Sequence, residues 1–349
     1  MTLNKKLFRA GALSVVGTLM LAACGGGEGG GSSPTVPGMA PPVVAPVVAA
    51  NIVTSIPAPS YAVATEELAA FNLLNAERSR CGFGLLAQNA ALDKAAKSHA
   101  DWSLINNYYG HYEVSTAANG FTGESPQDRA SNAGYKSLSV IETLIGEVGQ
   151  PNITGLGAKS ARGLMAAPYH LFGMMSPYKD LGVSVRSVSS VTPLVSNGLS
   201  NIAAYDFGVT LDAEYQTTDA AGVLTYPCDG VTGIKPSVRG EFPNPVPGRD
   251  LATNPLGHSM LVMVRKGQTL VINSASLSNT ATGASVTLRA PVTARNDPNN
   301  LLAAYGNYMG YVAPDAPLVA NTSYQATITG TNDGVAFSRT FTFTTGIDF

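Results

Sequence analysis

Two histidines and a carboxylate are the residues of this chain best suited to do chemistry. Gly110-His111-Tyr112-Glu113 and Pro168-Tyr169-His170 have the Gly, Pro and Tyr content of loops, and Gly146-Glu147 lies between them. Binding side chains concentrate on loops held by a rigid scaffold, which favours a functional over a packing role for His111. Two neutral imidazoles and a carboxylate can hold Zn²⁺ with a coordination position left open. Zn²⁺ is therefore the cofactor such a set would take, with His111 and His170 as its ligands. With Glu147 as catalytic general base, the same set would activate a metal-bound water, the chemistry of a metal-assisted hydrolase. The structural alternative is that Glu147 is a hydrogen-bonding anchor, since a buried carboxylate needs a partner. The remaining candidates read more blandly. His99 sits mid-helix among Ala and Trp, and His258 lies among strands, so both read as core histidines. Ser98, Ser125 and Ser176 lack a Gly-x-Ser-x-Gly setting. There is no His-Glu-x-x-His helix of an ordinary zinc protease.

These residues must be carried by helices and strands. Thr65-Glu66-Glu67 opens a helix in which Leu68, Phe71 and Leu74 recur at helical spacing, and Gly82 stops it beyond Arg78 and Arg80. A second helix runs from about Asn89 to Ile105, with a stripe of Leu92, Ala95, Ala96, His99 and Trp102. Ser125 caps a short helix over Pro126 to Ala133. Ala158 to Met165 forms another helical piece, which delivers His170 on a following loop. Leu181 to Val185, Ala203 to Leu211 and Val223 to Tyr226 have the content of strands and predict a three-stranded antiparallel meander.

The order and spacing of these elements resemble the bacterial branch of the CAP superfamily (cysteine-rich secretory proteins, antigen 5, pathogenesis-related 1). Leu74-Asn75-Ala76-Glu77-Arg78 is similar to the Leu-Asn-x-x-Arg of the first helix of that family. The resemblance implies an α-β-α sandwich with an open cleft in which His111, Glu147 and His170 face one another. It departs from the family pattern at Val148, where Asn is usual after Gly-Glu, and at Tyr169, where Gly is common and where the larger side chain would narrow the cleft. Glu113 and Glu124 both compete for the fourth position of the cleft.

The N-terminus predicts export. Lys5, Lys6 and Arg9 precede an apolar run from Gly11 to Met20 that is too short to span a bilayer. Leu21-Ala22-Ala23-Cys24 resembles a bacterial lipobox, so residues 1–23 read as a lipoprotein signal peptide and Cys24 as the lipidated residue. The predicted partner is then the membrane, through that anchor, and the predicted place is the cell envelope, at the outer membrane in a diderm host. Residues 24–62 are rich in Gly, Ser and Pro, a composition that buries too little surface to offset its ordering entropy, and read as a stalk. Charged residues are 13% of the chain and the formal net charge is −2; removing the three positive charges of the signal peptide makes it −5. No basic run survives, which argues against nucleic acid as a partner and leaves a small ligand or an envelope protein. Of the three cysteines, Cys81 and Cys228 remain after Cys24. An even pair in an oxidising compartment predicts a disulfide, the alternative being two buried thiols.

Beyond Asp229 the pattern changes to short strands: Met260 to Val264, Thr269 to Asn273, Ser285 to Arg289, Tyr324 to Thr329 and Ala336 to Thr344, with Leu301 to Ala304 ambiguous. In the last, Phe337, Phe341 and Phe343 alternate with Thr residues, and Arg339 interrupts the apolar face near an expected edge. The spacing predicts a β-sandwich, and the ending resembles bacterial Ig-like or fibronectin-III-like modules. The expected fold class is α+β, a CAP-type sandwich over residues 63–229 followed by an Ig-like β-sandwich over 230–349. The expected function is binding or interaction at the cell envelope.

Overall fold

Local sequence chemistry sets the first three helices. The structure, a computed structural model, describes residues 49–115, 119–191 and 198–349. The signal peptide, Cys24 and most of the stalk lie outside these described residues. Helix α1 (Glu66–Arg80) is capped by Thr65, whose side chain accepts from the Leu68 amide, with Glu66 and Glu67 at its positive end. A two-residue strand β1 (Ala87–Gln88) leads to α2 (Ala90–Asn106), capped by Asn89 and ended by Asn107 in the left-handed conformation. Ser125 and Asp128 form a reciprocal capping box on α3 (Pro126–Asn132).

Next come β2 (Ser137–Val148), α4 (Leu156–Ala166), α5 (Pro168–Met175), β3 (Asp180–Ser187) and β4 (Leu199–Thr210). The stretch carrying His170 is thus the first turn of a helix and not a loop, because Pro168 restarts the chain as α5. The sheet order is β1-β3-β4-β2, with β2 at a free edge. Strand β4 is buried on both faces. Ile202 and Ala204 pack with Leu144 against Ala96, Ala100 and Leu104 of α2, whereas Ala203, Tyr205 and Phe207 join Phe71, Leu164 and Phe172 on the other face. Helices therefore cover both faces of this sheet. Gly182 permits the close approach of α2: a Cβ there would lie 2.1 Å from the carbonyl carbon of Leu92.

The expected meander is corrected in one strand. β5 (Leu224–Tyr226) does not return to β4; it pairs with β9 (Met260–Met263), after β6 (Val231–Ile234), β7 (Ser237–Val238) and β8 (Leu256–Gly257). The place beside β4 is taken by β2, which pairs with it over most of its length. The remaining elements are β10 (Leu270–Asn279), β11 (Val292–Thr293), α6 (Leu301–Tyr305), β12 (Met309–Val312), β13 (Ser323–Asn332) and β14 (Val335–Thr345). They complete two further four-stranded sheets, β10-β13-β14-β6 and β11-β12-β9-β5. The expected strand over Ser285 to Arg289 is reduced to isolated bridges. Arg339 lies where β14 has β13 as its only strand neighbour, because β6 pairs with Phe343 and Thr345 alone. The architecture is α+β.

The boundary expected at residues 229–230 has no counterpart in the packing. Leu164, Tyr169 and Phe172 share one core with Leu261, Tyr311, Ile328 and Phe343, and the described residues form a single compact unit. Phe172 and Tyr169 each set an aromatic ring against Tyr311. The α4–α5 layer is thus buried between two sheets. The expected disulfide is present: Cys81, just beyond α1, is bonded to Cys228, just beyond β5, with Cα atoms 5.5 Å apart and a sequence separation of 147. By the loop-entropy model a bridge of that span stabilises by about 5 kcal/mol.

Candidate functional site

The free edge of β2 is where residues from opposite faces of the first sheet can meet. The loop after α2 brings His111 to this edge, and α5 brings His170 from the other side, so that the two imidazole rings lie 6.5 Å apart. Tyr109 anchors the loop by donating to the Leu144 carbonyl at 3.3 Å. Gly146 is what admits that ring, since a Cβ there would come within 2.8 Å of it.

Each imidazole has a carboxylate on Nδ1. His111 Nδ1 lies 3.0 Å from Glu142 Oε1, and His170 Nδ1 lies 2.8 Å from Glu241 Oε1, an ion pair without the alignment of a good hydrogen bond. Among the described residues neither Nε2 has a protein partner. A carboxylate on one ring nitrogen fixes the tautomer and makes the other nitrogen a better ligand. His111 is the more open, its side chain 39% exposed against 14% for His170. Burial alone would lower the pKa of His170, but the Glu241 carboxylate beside it outweighs that and holds it above the ordinary value.

Behind His111 lies a sealed polar cluster. Glu142 Oε2 accepts from Arg129 at 2.9 Å, and Arg129 also donates to the His111 carbonyl at 3.0 Å. His99 sets Nδ1 3.1 Å from Glu113 and Nε2 2.8 Å from the Gly110 carbonyl. Both ring nitrogens face oxygen atoms of the protein. Glu113 also accepts from the Thr122 amide at 2.6 Å. Burial opposes ionisation of Glu142, yet His99, Arg129 and His111 together hold its carboxyl well below the usual range. Asp206, directly across from Glu142 on β4, has the opposite fate. Burial and the Glu142 charge push it well above the carboxylate range, and neither of its oxygens has a hydrogen-bond partner among the described residues.

Of the residues singled out in the sequence, His111 and His170 come together and the others do not. Glu147 has the opposite parity from Glu142 on β2 and faces α4, where Lys159 lies 3.7 Å away; it contacts neither histidine. Tyr169 turns away from the cleft into the core and donates to Asp297. Glu113 is buried against His99 and does not line the cleft. The Glu124 carbonyl accepts from the Glu113 amide, and no described contact links its side chain to the cleft. His99 is a satisfied buried histidine, as expected; His258 is buried too, its Nδ1 meeting the Lys235 carbonyl, its Nε2 without a hydrogen-bond partner among the described residues and its pKa lowered by burial to about 3.

Sequence reasoning missed Glu142, Arg129, Asp206 and Glu241. Glu142 carried a usable signal, a lone carboxylate sharing parity with Val140 and Leu144 in Val-Ile-Glu-Thr-Leu. Glu241 carried none, because it meets His170 only through the tertiary fold. No group of three or more His, Cys, Asp or Glu side chains suited to a metal occurs among the described residues. The two imidazoles are thus the available protein ligands for a cation at the cleft.

No protein-family model matches the chain, and no curated protein matches it. Among solved structures it is similar to an extracellular protein containing an SCP domain from Bacillus anthracis str. Ames, at 19% identity and a TM-score of 0.31. The match covers 41% of this chain and 40% of that one, so the chain spans about two fifths of the length of that protein.

Proposed function

We propose that this chain is an exported, CAP-like binding protein of the cell envelope, anchored through Cys24, whose cleft takes a ligand or divalent cation between His111 and His170. The observation that carries the reading is the pair of carboxylate-backed imidazoles, Glu142–His111 and His170–Glu241, meeting over the free edge of β2 with neither Nε2 partnered among the described residues. Helices on both faces of the first sheet and the Leu74–Arg78 motif support the CAP-like assignment, and paired sheets in the second half support an Ig-like sandwich that shares its core. No helix among the described residues is long and apolar enough to cross a membrane, and the lipobox supports anchoring by acylation instead. Hydrolysis with Glu147 as base gains no support, because that carboxylate pairs with Lys159 away from the cleft.

Zn²⁺ is the direct probe. Two imidazoles supply few ligands, so binding should be modest and should weaken as the ring nitrogens protonate. Titration calorimetry should show Zn²⁺ binding by the wild type and none by the double variant His111→Ala, His170→Ala. Identical binding by both would overturn the reading.

A further inference from the structure

Beside His170 lies a second binding feature that does not use its imidazole. Lys235 follows β6, Arg239 follows β7, and Ser237 sits between them. Ser237 is fully buried and the Lys235 side chain is only 10% exposed. All three converge on one carboxylate. Asp348 lies 3.1 Å from Lys235 Nζ, 3.1 Å from Arg239 and 2.6 and 2.8 Å from the Ser237 hydroxyl. Lys235 also donates to the Phe349 backbone oxygen. The Phe349 ring takes two ammonium groups over its face, Lys235 at 4.3 Å and Lys159 at 5.4 Å from the centroid.

The feature continues past this segment. A groove of about 370 Å³ runs from Phe349 along Gly240, Glu241 and Phe242 to His170 and Tyr109. Three of its aromatic residues are partly or largely exposed: Phe242 at 84%, Tyr109 at 51% and Phe349 at 38%. Exposed rings beside fixed cations are the composition of a recognition surface more than of a packed wall.

We propose that this groove is a binding site for an acidic, aromatic-bearing peptide segment of a partner protein, and that Asp348–Phe349 occupies it in cis. The segment in place displays the chemistry the groove recognises. A carboxylate sits between an ammonium, a guanidinium and a hydroxyl, and an aromatic ring sits under ammonium groups. A nearly buried ammonium such as Lys235 requires an anion, so the occupant can be exchanged for another carboxylate but not simply lost. The exposed rings of Tyr109 and Phe242, beyond Phe349, offer surface to the further residues of a longer partner segment. Because Asp348–Phe349 is tethered, its effective concentration is high, and a partner must compete with it. This goes beyond the imidazole pair, since it needs neither a metal nor His111, and loss of Zn²⁺ binding would leave it standing.

The test is to empty the groove. The protein with Asp348→Ala and Phe349→Ala, titrated with a fluorophore-labelled, acetylated Gly-Ile-Asp-Phe peptide, should bind it saturably and at least about tenfold tighter than the wild type. Adding Lys235→Gln should cost that binding about tenfold or more, and raised salt should weaken it. A folded double variant that binds the peptide no better than wild type overturns the proposal, as does binding indifferent to Lys235→Gln. Adsorption to phosphatidylglycerol vesicles without peptide binding overturns it too, in favour of a lipid surface. Should the double variant fail to fold, Asp348→Asn keeps the side-chain shape, removes the charge and is judged by the same outcomes.

Discussion

His99 and His170 both rest Nδ1 against a glutamate, at 3.1 and 2.8 Å, yet they stand in opposite conditions. His99 is wholly buried and its second nitrogen is used by the Gly110 carbonyl. His170 Nε2 has no protein partner among the described residues, and its ring lines the groove 6.5 Å from that of His111. A carboxylate partner therefore does not distinguish a structural histidine from an available one; the fate of the other nitrogen does. The same contrast runs through the surroundings. The cluster around His99 is closed on itself, with Arg129 and His99 set against Glu142 and Glu113. The cleft leaves cations and rings facing solvent, held by contacts from distant parts of the chain.

The largest effect should come from breaking the sealed side. Arg129→Met leaves Glu142 buried without its guanidinium, and removing one partner of a buried pair costs about 3–5 kcal/mol. Urea denaturation should show a loss of that size; a loss below about 1 kcal/mol would mean that the cluster is not the closed unit the contrast requires.

A more discriminating comparison sets His99→Ala beside His111→Ala. The first strands Glu113 and the Gly110 carbonyl in the interior and should cost about 2–3 kcal/mol while sparing Zn²⁺ binding. The second removes a partly exposed ring and should cost less than about 1 kcal/mol while weakening Zn²⁺. Equal stability losses with equal Zn²⁺ affinity would erase the distinction between the two histidines.

The smallest effect concerns Glu241. A histidine with a raised folded pKa contributes stability that is fully present below its unfolded value, near 6.5, and that is lost as pH rises through the folded value. Glu241→Gln removes the charge that raises it. Stability measured from pH 5.5 to 9 should therefore decline less in the variant than in the wild type. The gap should be widest at the acidic end and close at the alkaline end. Parallel curves would show that Glu241 does not set the charge of His170.

Much of the helical framework was legible because its signals are local. Thr65, Asn89 and Ser125 each cap a helix through an amide two or three residues away, so a short window of sequence contains the whole interaction. The last strands were legible for a similar reason, since β13 and β14 are neighbours along the chain and one face of β13 is cleanly buried at alternate positions. β2 was harder. Glu142, Thr143 and Leu144 are all buried in succession, because helices cover both faces, and alternation disappears. That masking left Glu142 only its parity with Val140 and Leu144 as a signal, while Glu147 drew attention through the Gly-Glu pair of the family resemblance. Gly146 was indeed informative, but as the space for the Tyr109 ring.

By itself, then, the amino-acid order determined what depends on neighbours within a few residues: three capped helices, the strands of the C-terminal hairpin, and histidines at 111 and 170 as the residues to watch. The even cysteine pair belongs with these, since compartment and count sufficed to predict it. Only the tertiary structure decided which strand lies beside β4, that β5 joins the second half, and that both halves share one core. It also decided that Glu142 and not Glu147 supports His111, that Tyr169 faces inward, and that Glu241 and the Asp348–Phe349 segment complete the cleft. The reason is physical. Capping and alternation are short-range and repeat along the chain, whereas an ion pair between residues 170 and 241 exists only after loop closure and burial have brought them together, and nothing near either residue encodes the other.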